Sequence, residues 1–301
     1  MNQVDFKSWM QVHLARVEAA LSEWVDEAAP AGLGQAMRYA VLDGGKRLRP
    51  LLVHATAEAV GATADSMAAL RAACALELIH AYSLVHDDMP CMDNDVLRRG
   101  KPTVHVQFGQ AQALLAGDAL QALAFELLTP SDDGVPVAVQ ARCVGLLARA
   151  SGYHGMAGGQ AIDLASVGQS LSEAQLRQMH HLKTGALLLC GVQMGAACGP
   201  DVSAAALTAL TRFGEVLGLA FQVVDDILDV TADSATLGKT AGKDAAADKP
   251  TYVALMGLAA AQRLADQLAQ DAMQALTDTG LSAQRLAPLR ALADMVVQRT
   301  H

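Results

Sequence analysis

Apolar residues recur at helical spacing along nearly the whole chain. Phe6, Trp9, Met10, His13, Leu14, Val17, Leu21, Trp24 and Val25 follow one another mostly at three- and four-residue intervals and stop before Pro30, which marks one buried helix face over residues 6–27. The same periodicity predicts helices over residues 33–42, 64–86, 110–128, 135–151, 155–166 and 203–230, then two amphipathic ones over 251–278, with a break near Gly257, and 282–298. Pro50 restarts a helix at a first-turn position, and Ser170-Leu171-Ser172-Glu173 offers a capping box for a helix reaching residue 198. Paired glycines and polar turns separate these elements. The small-residue, charged stretch 231–250 carries no periodicity, and loops of that length are commonly functional lids. The predicted fold class is all-α, a single domain over residues 1–301.

Charge interrupts this pattern where it is costly. Val85-His86-Asp87-Asp88-Met89-Pro90-Cys91-Met92-Asp93-Asn94-Asp95 closes one apolar helix with four carboxylates. A second apolar run closes on Asp225, Asp226 and Asp229, with Asp225 and Asp229 on one helix face. Two like charges about 4 Å apart repel by roughly 4 kcal/mol at an effective dielectric near 20. One such cluster reads equally well as a solvated helix end; two, facing each other, would hold a cation. Oxygen-only ligands select Mg²⁺ or a similar hard ion, which takes one or two carboxylates and leaves its other sites to water and substrate phosphates. The substrate expected is a phosphate ester.

Basic residues gather on turns. Asp43-Gly44-Gly45-Lys46-Arg47-Leu48-Arg49-Pro50 places three cations where glycine lets backbone approach a phosphate, and Leu97-Arg98-Arg99-Gly100-Lys101-Pro102-Thr103 is another glycine- and proline-broken basic turn. His80 precedes Asp87 by seven residues, close to the same face, although a lone helical histidine is more often structural. Lys183, beside Thr184, interrupts an apolar surface and needs an anion or a route to water. Gln222 shares a face with Asp225. Asp118 and Asp163 read as buried acids that pin helices through hydrogen bonds.

Taken together, these residues resemble the trans-isoprenyl diphosphate synthases, over residues 42–251 and in five separate motifs. The four residues between Asp88 and Asp93 look like the variant found in bacterial farnesyl diphosphate synthases. The resemblance implies a single-domain bundle of roughly ten or more helices around a central cavity, the isoprenoid synthase type, with both aspartate clusters at its mouth. It implies Asp87, Asp88, Asp93, Asp225, Asp226 and Asp229 as ligands of three Mg²⁺ ions with bound diphosphate, Mn²⁺ being a substitute. Lys46, Arg49 and Arg99 would hold isopentenyl diphosphate, His80 a diphosphate, and Arg98, Lys183, Thr184 and Lys239 the allylic diphosphate; Lys243 has a less defined place. Lys183, Thr184 and Gln222 would face the reacting carbocation, and Gly158-Gly159-Gln160-x-x-Asp163 recurs in the family without an assigned role. Tyr82, with the small Ser83 beside it, would flank the growing tail and limit its length.

The reaction so implied is head-to-tail condensation of isopentenyl diphosphate with dimethylallyl and geranyl diphosphate to farnesyl diphosphate, by a cytoplasmic homodimer. A geranyl or geranylgeranyl diphosphate synthase is the alternative within the family. A terpene cyclase is disfavoured by the second aspartate cluster and the separate Lys46/Arg49 site, and a non-catalytic prenyltransferase subunit by the retention of all six aspartates.

Composition agrees with this reading. Apolar residues make up 52% against 18% charged and 4% aromatic, which favours a large helical core and excludes disorder. A net charge of −9, from 22 basic and 31 acidic residues, argues against a nucleic-acid surface. Five cysteines form no C-x-x-C pair, as expected of a reducing compartment. Residues 1–24 lack the central apolar block of a secretory signal. The longest uncharged stretch, 184–200, is broken by Gln193 and four glycines, short of the roughly 20 apolar residues of a membrane span.

Overall fold

The computed structural model describes residues 3–42, 44–131, 134–169, 171–200, 202–231 and 250–297. Its helices start and stop where the sequence supplies caps and breakers. Helix α1 spans Gln3–Trp24; a 3₁₀ turn, Pro30–Gly32, leads into α2, Leu33–Val41, and then α3, Leu48–Ala59. The long α4, Met67–Asp87, begins on Ser66, whose Oγ accepts from the Ala69 amide at 3.3 Å. The basic turn after it is a hairpin: β1, Leu97–Arg98, pairs antiparallel with β2, Lys101–Pro102. Its two-residue loop has positive φ at both Arg99 (52°) and Gly100 (78°), the type I′ geometry that matches strand twist.

Next come α5 (Val104–Phe108), α6 (Gln110–Leu127), α7 (Val137–Ser151), α8 (Met156–Ala165) and α9 (Glu173–His180). The capping box at α9 sits two residues later than the sequence pattern suggested: Ser172 Oγ accepts from the Gln175 amide at 3.4 Å, and Gln175 Oε1 accepts from the Ser172 amide at 2.9 Å. The helix predicted to run unbroken to residue 198 is interrupted by a π turn, His181–Gly185, before α10, Ala186–Cys198. Helix α11, Ala204–Thr231, starts on a Ser203 cap, whose Oγ accepts from the Ala206 amide at 3.1 Å. Helices α12 (Tyr252–Met256) and α13 (Leu258–Asp278) meet at Gly257, with φ of 82°, and α14 (Ala283–Val297) follows.

The core has three parts. Leu76, Leu78 and Ile79 of α4 lie in the first, among α1, α2, α6, α7 and α10. The second joins Leu51 and Leu52 of α3 to Phe213 of α11 and Leu289 of α14. The third joins Met179 of α9 to Val223 of α11 and Tyr252 of α12. Each such side chain contributes roughly 1.5–3 kcal/mol on burial. Helices α4 and α11 are long and apolar enough to cross a membrane by length and composition alone. In the bundle α4 is a core helix, its most apolar window 72% buried; it ends on Asp87, and α11 carries Asp229 in its last turn.

Candidate active site

Both aspartate clusters reach one polar cavity. It measures about 280 Å³ and is lined by Asp93 and Asp95 from the segment after α4 and by Asp225 and Asp226 of α11. A second, more apolar cavity of about 400 Å³ carries Arg49, His80 and Asp87 at its polar side and Tyr82, Ser83, Met156, Ala161 and Leu164 elsewhere. Lys183 and Thr184 line both cavities and so stand at their junction. An anionic head group held on one side of them would direct an apolar tail to the other.

The six aspartates are not equivalent. Asp88 is buried and accepts from Arg98 through both oxygens, at 2.8 and 2.6 Å. Asp226, also buried, accepts from Gln222 Nε2 at 2.8 Å and from the Tyr252 amide at 2.7 Å. The Asp93 amide donates to the Asp87 carbonyl at 2.9 Å, folding the acidic loop back on the helix end. Burial pushes the Asp87 carboxyl up to about 6; Lys183 opposes the shift and Asp93 adds to it. Asp229 is buried, and among the described residues its Oδ1 has no hydrogen-bond partner.

This donor set fits a hard cation: all oxygen, with one orphaned carboxylate atom and another carboxyl whose charge the protein alone leaves poorly compensated. Among the described residues, no three His, Cys, Asp or Glu side chains form a group that could hold an ion. The closed cage of carboxylates that the two clusters suggested in sequence is thus absent among those residues. Such an open arrangement suits an ion that shares its coordination with a phosphate.

The three cations of the first basic turn divide. Lys46 is exposed and Arg49 lines the apolar cavity beside His80. Arg47 turns inward, with φ of 46°, and donates to Glu18 at 2.6 Å, Glu77 at 2.7 Å and the Val41 carbonyl at 2.5 Å. Arg99 donates to the Gly44 carbonyl, joining the hairpin to this turn. The His80 imidazole is held well below its ordinary pKa, first by burial and then by Arg49, Arg99 and Arg98, and so stays neutral.

Lys183 has its anion in Asp163 of α8, at 2.5 Å. The π turn carries it there. A Cβ on Gly159 would lie 2.1 Å from the Lys183 amide nitrogen, so only glycine permits α8 to approach that turn. From the other side a chain of bonds runs from Thr184 Oγ1 to Gln222 Oε1 at 3.2 Å and from Gln222 to Asp226.

The structure therefore brings Arg49, His80, Asp87, Asp93, Arg98, Lys183, Thr184, Gln222, Asp225 and Asp226 to the two cavities, with Tyr82 and Ser83 on the apolar wall. Lys239, Lys243 and the rest of the expected lid at 232–249 lie outside the described residues. Asp118, expected to be buried, is exposed on α6, 4.0 Å from His86. Asp95 and Gln160, which the sequence offered only as members of the acidic cluster and of the Gly158-Gly159-Gln160-x-x-Asp163 pattern and without a role, also line these cavities. The inward turn of Arg47 and the tie between Asp226 and Tyr252 depend on the backbone path and were not readable from residue types.

Comparison with known proteins identifies the family of the chain. The family model described as polyprenyl synthetase matches residues 30–282. The chain is 44% identical to the farnesyl diphosphate synthase of Escherichia coli (strain K12), over 98% of this chain and 99% of that one. It is 49% identical to a probable farnesyl diphosphate synthase of Bradyrhizobium diazoefficiens, over 93% and 85%. Among solved structures, geranylgeranyl pyrophosphate synthetase from Pyrococcus horikoshii superposes with a TM-score of 0.87 at 31% identity, covering 98% of each chain.

Proposed function

The chain belongs to the polyprenyl synthetase family and is a prenyltransferase, and from that premise we propose that it makes farnesyl diphosphate from isopentenyl diphosphate and the allylic dimethylallyl and geranyl diphosphates, with Mg²⁺. One observation carries the reading: a polar cavity with aspartates from both clusters shares Lys183 and Thr184 with an apolar cavity walled by Tyr82. The ion, Mg²⁺ or Mn²⁺, would be held by Asp87, Asp93 and Asp225, with Asp229 behind them, and supplies charge neutralisation at the leaving diphosphate. Asp88 and Asp226 act from the second rank, fixing Arg98, Gln222 and the start of α12.

Lys183 and Arg98, which line the polar cavity, bind the allylic diphosphate together with Lys239, and such cationic side chains favour its departure by stabilising the charge that develops on the leaving group. Lys46, Arg49 and Arg99 hold isopentenyl diphosphate with its double bond toward the allylic carbon. The allylic C–O bond breaks, a carbon–carbon bond forms from the isopentenyl double bond, and a proton leaves the new chain to the released diphosphate. Thr184 and Gln222 present oxygens to the positive charge on the way. No protein nucleophile is required.

Tyr82 on the wall supports a C15 product over the geranyl and geranylgeranyl alternatives. A cyclase would have no use for the separate Lys46/Arg49 site. Homodimer formation is supported by the exposed Val106, Leu114 and Leu115 on adjoining helices α5 and α6, and a cytoplasmic location by five free cysteines. The test is diphosphate release from dimethylallyl diphosphate. It should require both isopentenyl diphosphate and Mg²⁺, stop on adding EDTA and return with excess Mg²⁺; undiminished turnover in metal-free buffer would overturn the proposal.

A further inference from the structure

The apolar cavity has a wall element that neither the aspartate motif nor Tyr82 accounts for. His86, the residue before Asp87, lines the same cavity as Tyr82 and Ser83. Its ring does not extend freely. Nε2 lies 3.1 Å from the Leu114 carbonyl of α6, and since a carbonyl can only accept, Nε2 carries the proton. The seat for the ring is a missing side chain: a Cβ on Gly117 would stand 2.1 Å from His86 Nε2 and 2.4 Å from Cδ2. Tyr82, one turn earlier, meets His86 edge to face, with centroids 5.6 Å apart and planes at 79°. Ser83 does not compete for this space, because its Oγ donates to the His80 carbonyl at 2.8 Å.

From these contacts we infer that His86, seated on Gly117, is a specificity-determining wall residue that positions Tyr82 and helps set the length of the prenyl chain. The inference rests on the prenyl diphosphate synthase reading above. Tyr82 is half-buried and needs a backstop to resist a growing apolar tail. The imidazole provides one, fixed at its far end by the α6 carbonyl. Removing the ring enlarges the cavity and frees the tyrosine. Adding a methyl group at position 117 unseats the ring, and the space beside Tyr82 is where it goes, so the cavity shrinks. Opposite substitutions on two helices should therefore move product length in opposite directions.

The experiment compares the C10, C15 and C20 product shares of wild type, His86→Ala, Gly117→Ala and the double variant, with dimethylallyl and isopentenyl diphosphates and Mg²⁺. Shares are compared at equal consumption of isopentenyl diphosphate, so a general loss of activity does not mimic the effect. His86→Ala is expected to raise the C20 share severalfold, and Gly117→Ala to raise the C10 share severalfold. The double variant should lose the C10 excess, because the methyl group added at position 117 no longer meets a ring. If Gly117→Ala does not fold, His86→Ala decides alone, since it adds no bulk. An unchanged product distribution in His86→Ala overturns the inference while leaving the function intact; failure of wild type to condense the two substrates overturns the functional reading itself.

Discussion

Lys183 and Asp163, twenty residues apart in sequence, form an ion pair at 2.5 Å between the π turn and α8. Asp163 is buried and Lys183 half-exposed, so the carboxylate is the fixed partner that aims the ammonium at the cavities. A charge-assisted hydrogen bond is worth about 1.5–3 kcal/mol. Asp163→Asn, which keeps the shape, is expected to raise KM for the allylic diphosphate about ten- to a hundredfold and to leave that for isopentenyl diphosphate nearly unchanged. Equal increases for both substrates would remove the assigned role.

Asp87 and Asp225 come from the two clusters and line the two joined cavities. Replacing either with alanine is expected to lower kcat by about a thousandfold, the scale of losing one major electrostatic stabiliser. Circular dichroism should stay unchanged, because no core contact is removed. Near-wild-type kcat in both variants would show that the aspartates do not hold the metal.

Adjacent cations of the first basic turn should fail in different assays. Lys46→Ala and Arg49→Ala are expected to raise KM for isopentenyl diphosphate with little change in stability. Arg47→Ala leaves Glu77, whose side chain is only 4% exposed, without its cation, and breaking a buried pair typically costs about 3–5 kcal/mol. Denaturant midpoints separate the two classes; a stable Arg47→Ala enzyme with only a KM defect would contradict the division.

His54 is buried against His13, with ring centroids 4.4 Å apart, and His13 is bonded to Glu58 at 2.7 Å. Burial first, then His13 and Arg16, bring its pKa to about 3 from 6.5. A neutral His54 therefore contributes stability that is fully present above pH 6.5 and is lost as pH falls toward 3. Within that window one such group gives at most about 1.4 kcal/mol per pH unit. His80 and His180, both also lowered, act in the same direction. His54→Gln is expected to flatten the acid side of the stability curve measured by urea melts from pH 7 to pH 4. Superimposable slopes would exclude His54 as a contributor.

Much of this was legible in the sequence because the signals are local. Helical periodicity and the breakers at Pro30 and Gly257 needed no tertiary information, and the aspartate and basic motifs announced themselves through charge at the ends of apolar runs. What stayed hidden depends on contacts between distant segments. The π turn lies where α8 approaches the Lys183 backbone at Gly159. Arg47 and Arg49 differ only by the backbone path through a left-handed residue. Asp118 looked buried because its neighbours in α6 are apolar, yet Leu114 and Leu115 beside it are exposed as well.

The most direct test is identification of the product formed by the wild-type protein from dimethylallyl and isopentenyl diphosphates with Mg²⁺. The expected product is all-trans C15 diphosphate, with Tyr82→Ala extending it to C20 and beyond while retaining the first condensation. A cyclised hydrocarbon, or no condensation at all, would contradict the proposed reaction; a Tyr82→Ala enzyme that is active and still stops at C15 would place the limiting wall elsewhere.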